Sequence, residues 1–229
     1  MPYKSLNQIG DLALINSSND LGGTTSAPGE ITPDPETLRY SMTTVGGVLY
    51  VTYSQTLGDL SINPPKISKD WWNDFDILNM KAPGLNHGHV HEGFFKEYQK
   101  TEQTILDKIQ VENPVEVCCV GYSKGGIQAT YLAYRLLILL PKICVSLKSF
   151  ASPKGFDWDG AQEVMRIFKE NCDRFAGDRI VRAGDMVPRL PPFLMDYAHV
   201  LKQRTLGMWF WPWPNPAHHL IRQYRKFLK

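Results

Sequence analysis

The 229 residues are enough for one well-packed domain and short of two, and 43% apolar with 11% aromatic residues argues against a disordered chain. A net charge of +2, with only a mild basic run at the C-terminus, argues against nucleic acid as a partner. The longest apolar stretch, "LLILLP" from Leu136, is too short for a bilayer, and the N-terminus lacks a signal peptide's apolar core and cleavage site. A soluble cytoplasmic protein is expected, with release to act elsewhere left open.

Residues 1–36 read as a peripheral segment of a single domain spanning 1–229. They hold a short helix over "SLNQIGDLALI" and then a loop rich in Gly, Pro, Ser and Asp. "TLRYSMTTVGGVLYVTYSQT" reads as a hairpin turning at Val45-Gly46-Gly47. Leu57 to Gly88 is irregular, and a stretch of that length without periodicity points to function. The pattern then predicts a helix over Phe94–Ile109, a strand buried on both faces over Val115–Val120, and a helix over Ser123–Leu140. A strand over "VSLKSFAS", a helix over Gly160–Cys172 capped by Asp159, and a strand over "DRIVRAGD" follow. "HHLIRQYRKFLK" closes the chain as an amphipathic helix. Strands alternating with helices predict an α/β fold, a mostly parallel sheet with helices on both faces. Cys118 and Cys119 adjoin in one strand and face opposite ways, like small buried hydrophobes, and the four cysteines show no zinc spacing.

"VCCVGYSKGGIQATYLAYRLL" concentrates the chemistry. Gly121-Tyr122-Ser123-Lys124-Gly125 fits G-x-S-x-G, which holds a serine hydroxyl at a sharp turn between an apolar strand and a helix. A serine needs a base to take its proton, and the base needs a carboxylate to orient it. In this topology the partners follow in the order Ser, Asp, His. Asp185 stands where the strand from Arg179 ends, and the histidines after it are His199, His218 and His219. Asp178 competes with Asp185 but is placed at the start of its strand, the wrong end of the sheet.

Several segments, in one order from Leu38 to Leu228, resemble the class 3 (fungal-type, triacylglycerol) lipases of the α/β-hydrolase fold. "YVTYSQT" stands where that family has a strand ending in F-R-G-[ST], and "DWWNDF" is similar to its lid segment. "VHEGF" matches V-H-x-G-F, "VGYSKGG" resembles G-H-S-x-G-G, "FASPKGFD" resembles F-G-x-P-R-x-G, and "GDMVPRLPP" resembles D-x-V-P-x-L-P-P. The resemblance implies Ser123 as nucleophile, Asp185 as orienting acid and His219 as base, with His218 as the rival base. It also implies an oxyanion hole from the backbone amides of Lys124 and Thr56. Tyr122 and Lys124 replace the family's His and Leu, and "YSQT" lacks its Arg and Gly, so Thr56 rests on position alone. The Lys124 side chain is expected to leave the turn away from the oxyanion.

The implied activity is hydrolysis of carboxylic esters of lipids through an acyl-enzyme, without a metal or organic cofactor. Phospholipase or general esterase activity on the same machinery, or an inactive lipid- or protein-binding module, are the alternatives. The implied partners are a lipid or small ester substrate and, transiently, a membrane or lipid surface. Leu57–Phe75 is expected to cover Ser123 and to open at such a surface. His199 reads as structural. His87, His89 and His91 alternate without a flanking acidic or Cys ligand, so no metal site is expected. Trp209, Phe210, Trp211 and Trp213, before the base, fit either core packing or an acyl-binding or interfacial wall. Arg222, Arg225, Lys226 and Lys229 read as a solvated helix face.

Overall fold

A computed structural model of the chain describes residues 4, 9–20, 31–34, 38–53, 79–192, 195–208 and 216–228. Thr56, residues 57–78 of the irregular segment with the expected cover Leu57–Phe75, and the aromatic run 209–213 lie outside the described residues.

Strand β6 (Glu116–Tyr122) explains most of the layout, because all seven of its residues are buried. A strand buried on both faces must be central and covered twice. Its Val117 and Cys119 join one apolar cluster, and its Cys118, Val120 and Tyr122 join the other. The adjacent cysteines thus divide between the two cores, free and buried. Burial pushes the Cys118 thiol up to about 12 and that of Cys119 well above its usual value.

The main sheet holds seven strands. β1 (Ile31–Asp34), β2 (Leu38–Val45) and β3 (Val48–Tyr53) are antiparallel, with Gly46 and Gly47 at φ 58° and 79° forming the two-residue turn between β2 and β3. β3, β6, β7 (Cys144–Phe150), β9 (Phe175–Arg182) and β11 (Gln203–Leu206) continue the sheet in parallel. A second, antiparallel sheet joins four two-residue strands: β4 (Asn79–Met80), β5 (Val90–His91), β8 (Phe156–Asp157) and β10 (Tyr197–Ala198).

On one face lie α2 (Glu92–Glu112), α3 (Lys124–Leu139) and α4 (Trp158–Glu170). α2 and α4 bury one stripe each, through Phe94, Tyr98, Ile105 and Ile109 and through Ala161, Val164, Ile167 and Phe168. α3 is buried from Lys124 to Leu137, as its apolar composition demands. Arg174 ends it from outside, donating to the carbonyls of Leu137, Leu140 and Ile143, a cation placed at the helix's negative end. On the other face, α1 (Asp11–Asp20) buries Leu14 and Ile15 beside Cys118, Val120 and Tyr122, together with Tyr224 of the short α5 (Ile221–Arg225). Seven large tyrosines, Tyr40, Tyr53, Tyr98, Tyr122, Tyr131, Tyr134 and Tyr224, are below 2% exposed. Among the described residues no helix is long and apolar enough to cross a membrane.

The described part of segment 1–36 places α1 on one face of the sheet, with Leu14 and Ile15 buried. Its helix also begins at Asp11, six residues later than "SLNQI" suggested, and residues 31–34 form a strand where a loop was expected. The closing helix is shorter than its amphipathic pattern, being a 3-10 turn over Pro216–His219 and then α5. β9 starts three residues earlier than expected, so Asp178 is within the strand, not at its start. α4 is capped by Asp157, not Asp159. The Asp157 carboxylate accepts from Gly160 N at 2.8 Å, and from His89 N and Nδ1, both at 2.8 Å. It therefore joins α4 to the loop before β5, a long-range service that no local cap provides.

Replacing Asp157 with Ala should lower unfolding free energy by about 1–3 kcal/mol, because three donors lose their acceptor. Asp159→Ala should cost less than about 1 kcal/mol, the scale of a first-turn charge on the helix dipole. Urea denaturation of the two variants side by side checks this.

Candidate active site

The chain leaves β6 with no room for side chains. A Cβ on Gly121 would lie 2.0 Å from the Gly125 carbonyl oxygen, and one on Gly126 would lie 2.9 Å from Ser152 Cβ. Between these glycines Ser123 takes φ 57° and ψ −125°, which costs a non-glycine residue about 1–3 kcal/mol. The surroundings hold it there. Ser123 N donates to Phe150 O at 2.8 Å, and Gly126 N donates back to Ser123 O at 2.9 Å. The serine side chain is thereby turned out at the start of α3, where unpaired amides favour negative charge.

Asp185 lies three residues beyond β9, on a turn in which Gly184 has φ 84° and Asp185 N donates to Arg182 O at 3.0 Å. Its side chain has no exposure to solvent. The carboxylate accepts from Val187 N at 3.0 Å and from Tyr224 OH at 2.5 Å, and it faces His219 Nδ1 at 2.9 and 3.1 Å. A buried anion is tolerable when surrounded by donors in this way. Burial, with the charge of Asp185 adding to it, pushes the Tyr224 phenol far up, so it remains a proton donor.

His219 ends the 3-10 turn that precedes α5. Its ring stacks on Tyr122, with centroids 5.2 Å apart and planes 17° from parallel, while Tyr122 OH donates to the His219 carbonyl. Burial first, and Asp185 second, keep this phenol protonated too. His219 Nε2 stands 2.9 Å from Ser123 Oγ. With Nδ1–H directed at Asp185, Nε2 is left to accept the serine proton. Ser123, Asp185 and His219 are 6%, 2% and 3% exposed, so the chain of bonds lies almost out of water.

The three residues named from the sequence therefore meet. His218 does not join them, and its Nδ1 is buried without a hydrogen-bond partner among the described residues. Lys124 opens α3, and its buried side chain runs to α2, where Nζ pairs with Glu97 at 2.9 Å; Gln128 donates to the same carboxylate at 3.0 Å. Thr56 lies outside the described residues.

The remaining candidates serve elsewhere. His199 Nε2 donates to Pro188 O at 2.6 Å, and burial pulls this imidazole down to about 3, so it stays neutral. His89 binds Asp157, and His91 is buried and stacked on Phe94 at 4.2 Å. Among the described residues no group of three or more His, Cys, Asp or Glu could hold a metal ion. Asp178 pairs with Lys148 at 2.5 Å. Arg222, Arg225 and Lys226 are exposed.

Two partners of the site, Tyr122 and Tyr224, were not assigned a role from the sequence. Tyr122 stands out as the residue that replaces the family's His before the serine, and Tyr224 as the residue five after His219. Nothing in either local pattern says that its hydroxyl has a partner nearly 100 or 40 residues away.

The main sheet and its helices are those of an α/β-hydrolase. Solved structures bear this out at low sequence identity. A triacylglycerol lipase described as having a serine protease triad at its catalytic centre is 17% identical, with a TM-score of 0.70 over 86% of this chain and 80% of its own. The propeptide complex of Rhizomucor miehei lipase is 18% identical, with a TM-score of 0.59 over 77% of this chain and 55% of its own. The mono- and diacylglycerol lipase of Aspergillus oryzae is 16% identical, with a TM-score of 0.62 over 78% of this chain and 62% of its own. The chain thus spans little more than half the length of some of these structures. No curated protein matches the sequence. The lipase (class 3) family matches residues 61–195, more than half of the 229. With that match, on this fold, the chain belongs to the class 3 lipases, serine hydrolases that cleave carboxylic esters of lipids.

Proposed function

We propose that Ser123, His219 and Asp185 carry out this hydrolysis as nucleophile, base and orienting acid. The observation that carries the reading is the position of His219, 2.9 Å from Ser123 Oγ on one side and 2.9 Å from Asp185 Oδ2 on the other. His219 takes the hydroxyl proton as Ser123 Oγ attacks the ester carbonyl, and Asp185 balances the charge on the imidazolium. The tetrahedral oxyanion meets the Lys124 amide, and the amide of Thr56 by analogy of position; each such donor contributes roughly 3 kcal/mol. His219 then gives its proton to the leaving alcohol. Water enters, loses a proton to His219 and attacks the acyl-enzyme, and the acid leaves with Ser123 restored.

The substrates proposed are esters of fatty acids, reached at a lipid surface or as small soluble esters. Four free cysteines, two of them buried, favour a reducing compartment such as the cytoplasm.

A fluorophosphonate should label the protein at Ser123, and Ser123→Ala should abolish both labelling and hydrolysis of a p-nitrophenyl ester. A protein that fails to label would be a binding module, not an enzyme. His219→Ala and Asp185→Asn should lower turnover by several orders of magnitude with the fold intact. His218→Ala, measured beside them, should retain most of the rate; a dead His218 variant with an active His219 variant would transfer the base role.

Lys124→Leu separates the amide from the ammonium. The side chain is spoken for by Glu97, so turnover should change by less than about tenfold, equivalent to roughly 1.4 kcal/mol. Stability should fall, by about 1–3 kcal/mol, because Glu97 then keeps Gln128 but loses its counter-charge. A thousandfold loss of turnover at unchanged folding would place the lysine charge in the catalytic apparatus.

A further inference from the structure

Behind the first turns of α3 lies a cavity of ≈ 10 Å³, lined among others by Thr130, Ser149, Ser152, Arg179 and His199. The centre of a water-sized body can move within that volume, so the void has room for one body somewhat larger than a water. Arg179 belongs to β9 and is only 9% exposed. Its Nε donates to Leu201 O and its Nη2 to Gln203 Oε1, both at 3.1 Å, while Nη1 is buried with no hydrogen-bond partner among the described residues.

The surroundings supply no negative charge, and His199 stays neutral. His199, in the same lining, is turned to Pro188 O, and Lys154, whose charge reaches His199, donates from Nζ to Pro191 O at 2.9 Å. The acceptors these three groups have found are neutral carbonyls and an amide. Among the described residues no carboxylate lies within ion-pair distance of Arg179, Lys154 or His199.

A guanidinium withdrawn from water without a counter-charge is among the costliest groups a core can hold. It does not escape by losing its proton: burial draws Arg179 down to about 10, which leaves it charged at neutral pH. A water molecule in the cavity would satisfy Nη1 but leave the charge uncompensated. An anion does both. The hydroxyls of the lining have committed their hydrogens, Thr130 and Ser149 to Gly126 O at 2.8 and 3.1 Å and Ser152 to Pro153 O at 2.9 Å. Arginine is therefore the donor this lining offers.

We propose that the cavity is a binding site for one small monovalent anion of chloride size, held by Nη1 of Arg179. A volume this small favours a halide over phosphate, sulfate or a lipid carboxylate. Since Thr130 and Ser149 both hold the carbonyl of Gly126, the anion would sit behind the turn that presents Ser123.

The test is thermal unfolding of the full chain at fixed pH and ionic strength, with chloride replacing gluconate stepwise. Wild-type protein should show a saturable rise in Tm of about 2–4 °C or more. Arg179→Gln should lose that dependence while any general salt effect persists. Crystals of the wild type grown in bromide should show an anomalous peak beside Nη1, a measurement that needs no variant. Equal Tm in chloride and gluconate, an equal response from Arg179→Gln, or a bromide crystal with only water at Nη1 would each overturn the proposal.

Discussion

Asp185 is an ion with no access to water, and much of the site is arranged by the need to satisfy it. A carboxylate in that position is costly to bury unless donors replace its hydration. The donors come from three places in the chain: Val187 N in the turn after β9, Tyr224 in α5, and His219 in the 3-10 turn between them. The C-terminal segment is thus tied to the sheet by a charge, and the same bonds that settle the charge fix the imidazole. Tyr122 completes the arrangement from the other side, stacking on the ring and holding the His219 carbonyl.

Ser123 meets this assembly from β6, and its strained backbone is possible because its neighbours are over-determined. The strand before it is buried on both faces and paired on both edges, with β3 and β7. The helix after it is buried along almost its whole length and anchored at its first residue by Glu97. A reactive hydroxyl on a turn between two immobile elements loses little by way of reorganisation when the ester arrives.

The parts of this layout legible in the sequence are those whose signal is local and repeated. An apolar run, a glycine-flanked serine and a helical pattern following one another made β6, the turn and α3 readable, and Asp185 was readable from the end of an apolar strand. β11 was not, because three residues of its "QRTL" are exposed and an edge strand with little to bury carries no alternation. The four strands of the small sheet have two residues each, fewer than any period needs. The local pattern points to Asp159 as the cap, whereas Asp157 is held in that role by His89, far away in the chain. Glu97 and Lys124 met across two helices for the same reason. Long-range polar pairs leave no trace in a local pattern.

The seven fully buried tyrosines have a consequence for the alkaline limit of the fold. Each has its phenol held above its usual range chiefly by burial. In the unfolded chain these phenols give up their protons near pH 10, whereas in the folded chain they keep them. The stability they lend is complete below pH 10 and is lost as the pH climbs from there toward the folded values, with every phenolate drawing the equilibrium the same way. These seven should therefore add little to phenolate absorbance on raising the pH until the fold gives way, and then ionise together. For these seven phenols ionisation is a measure of unfolding, not of a surface titration.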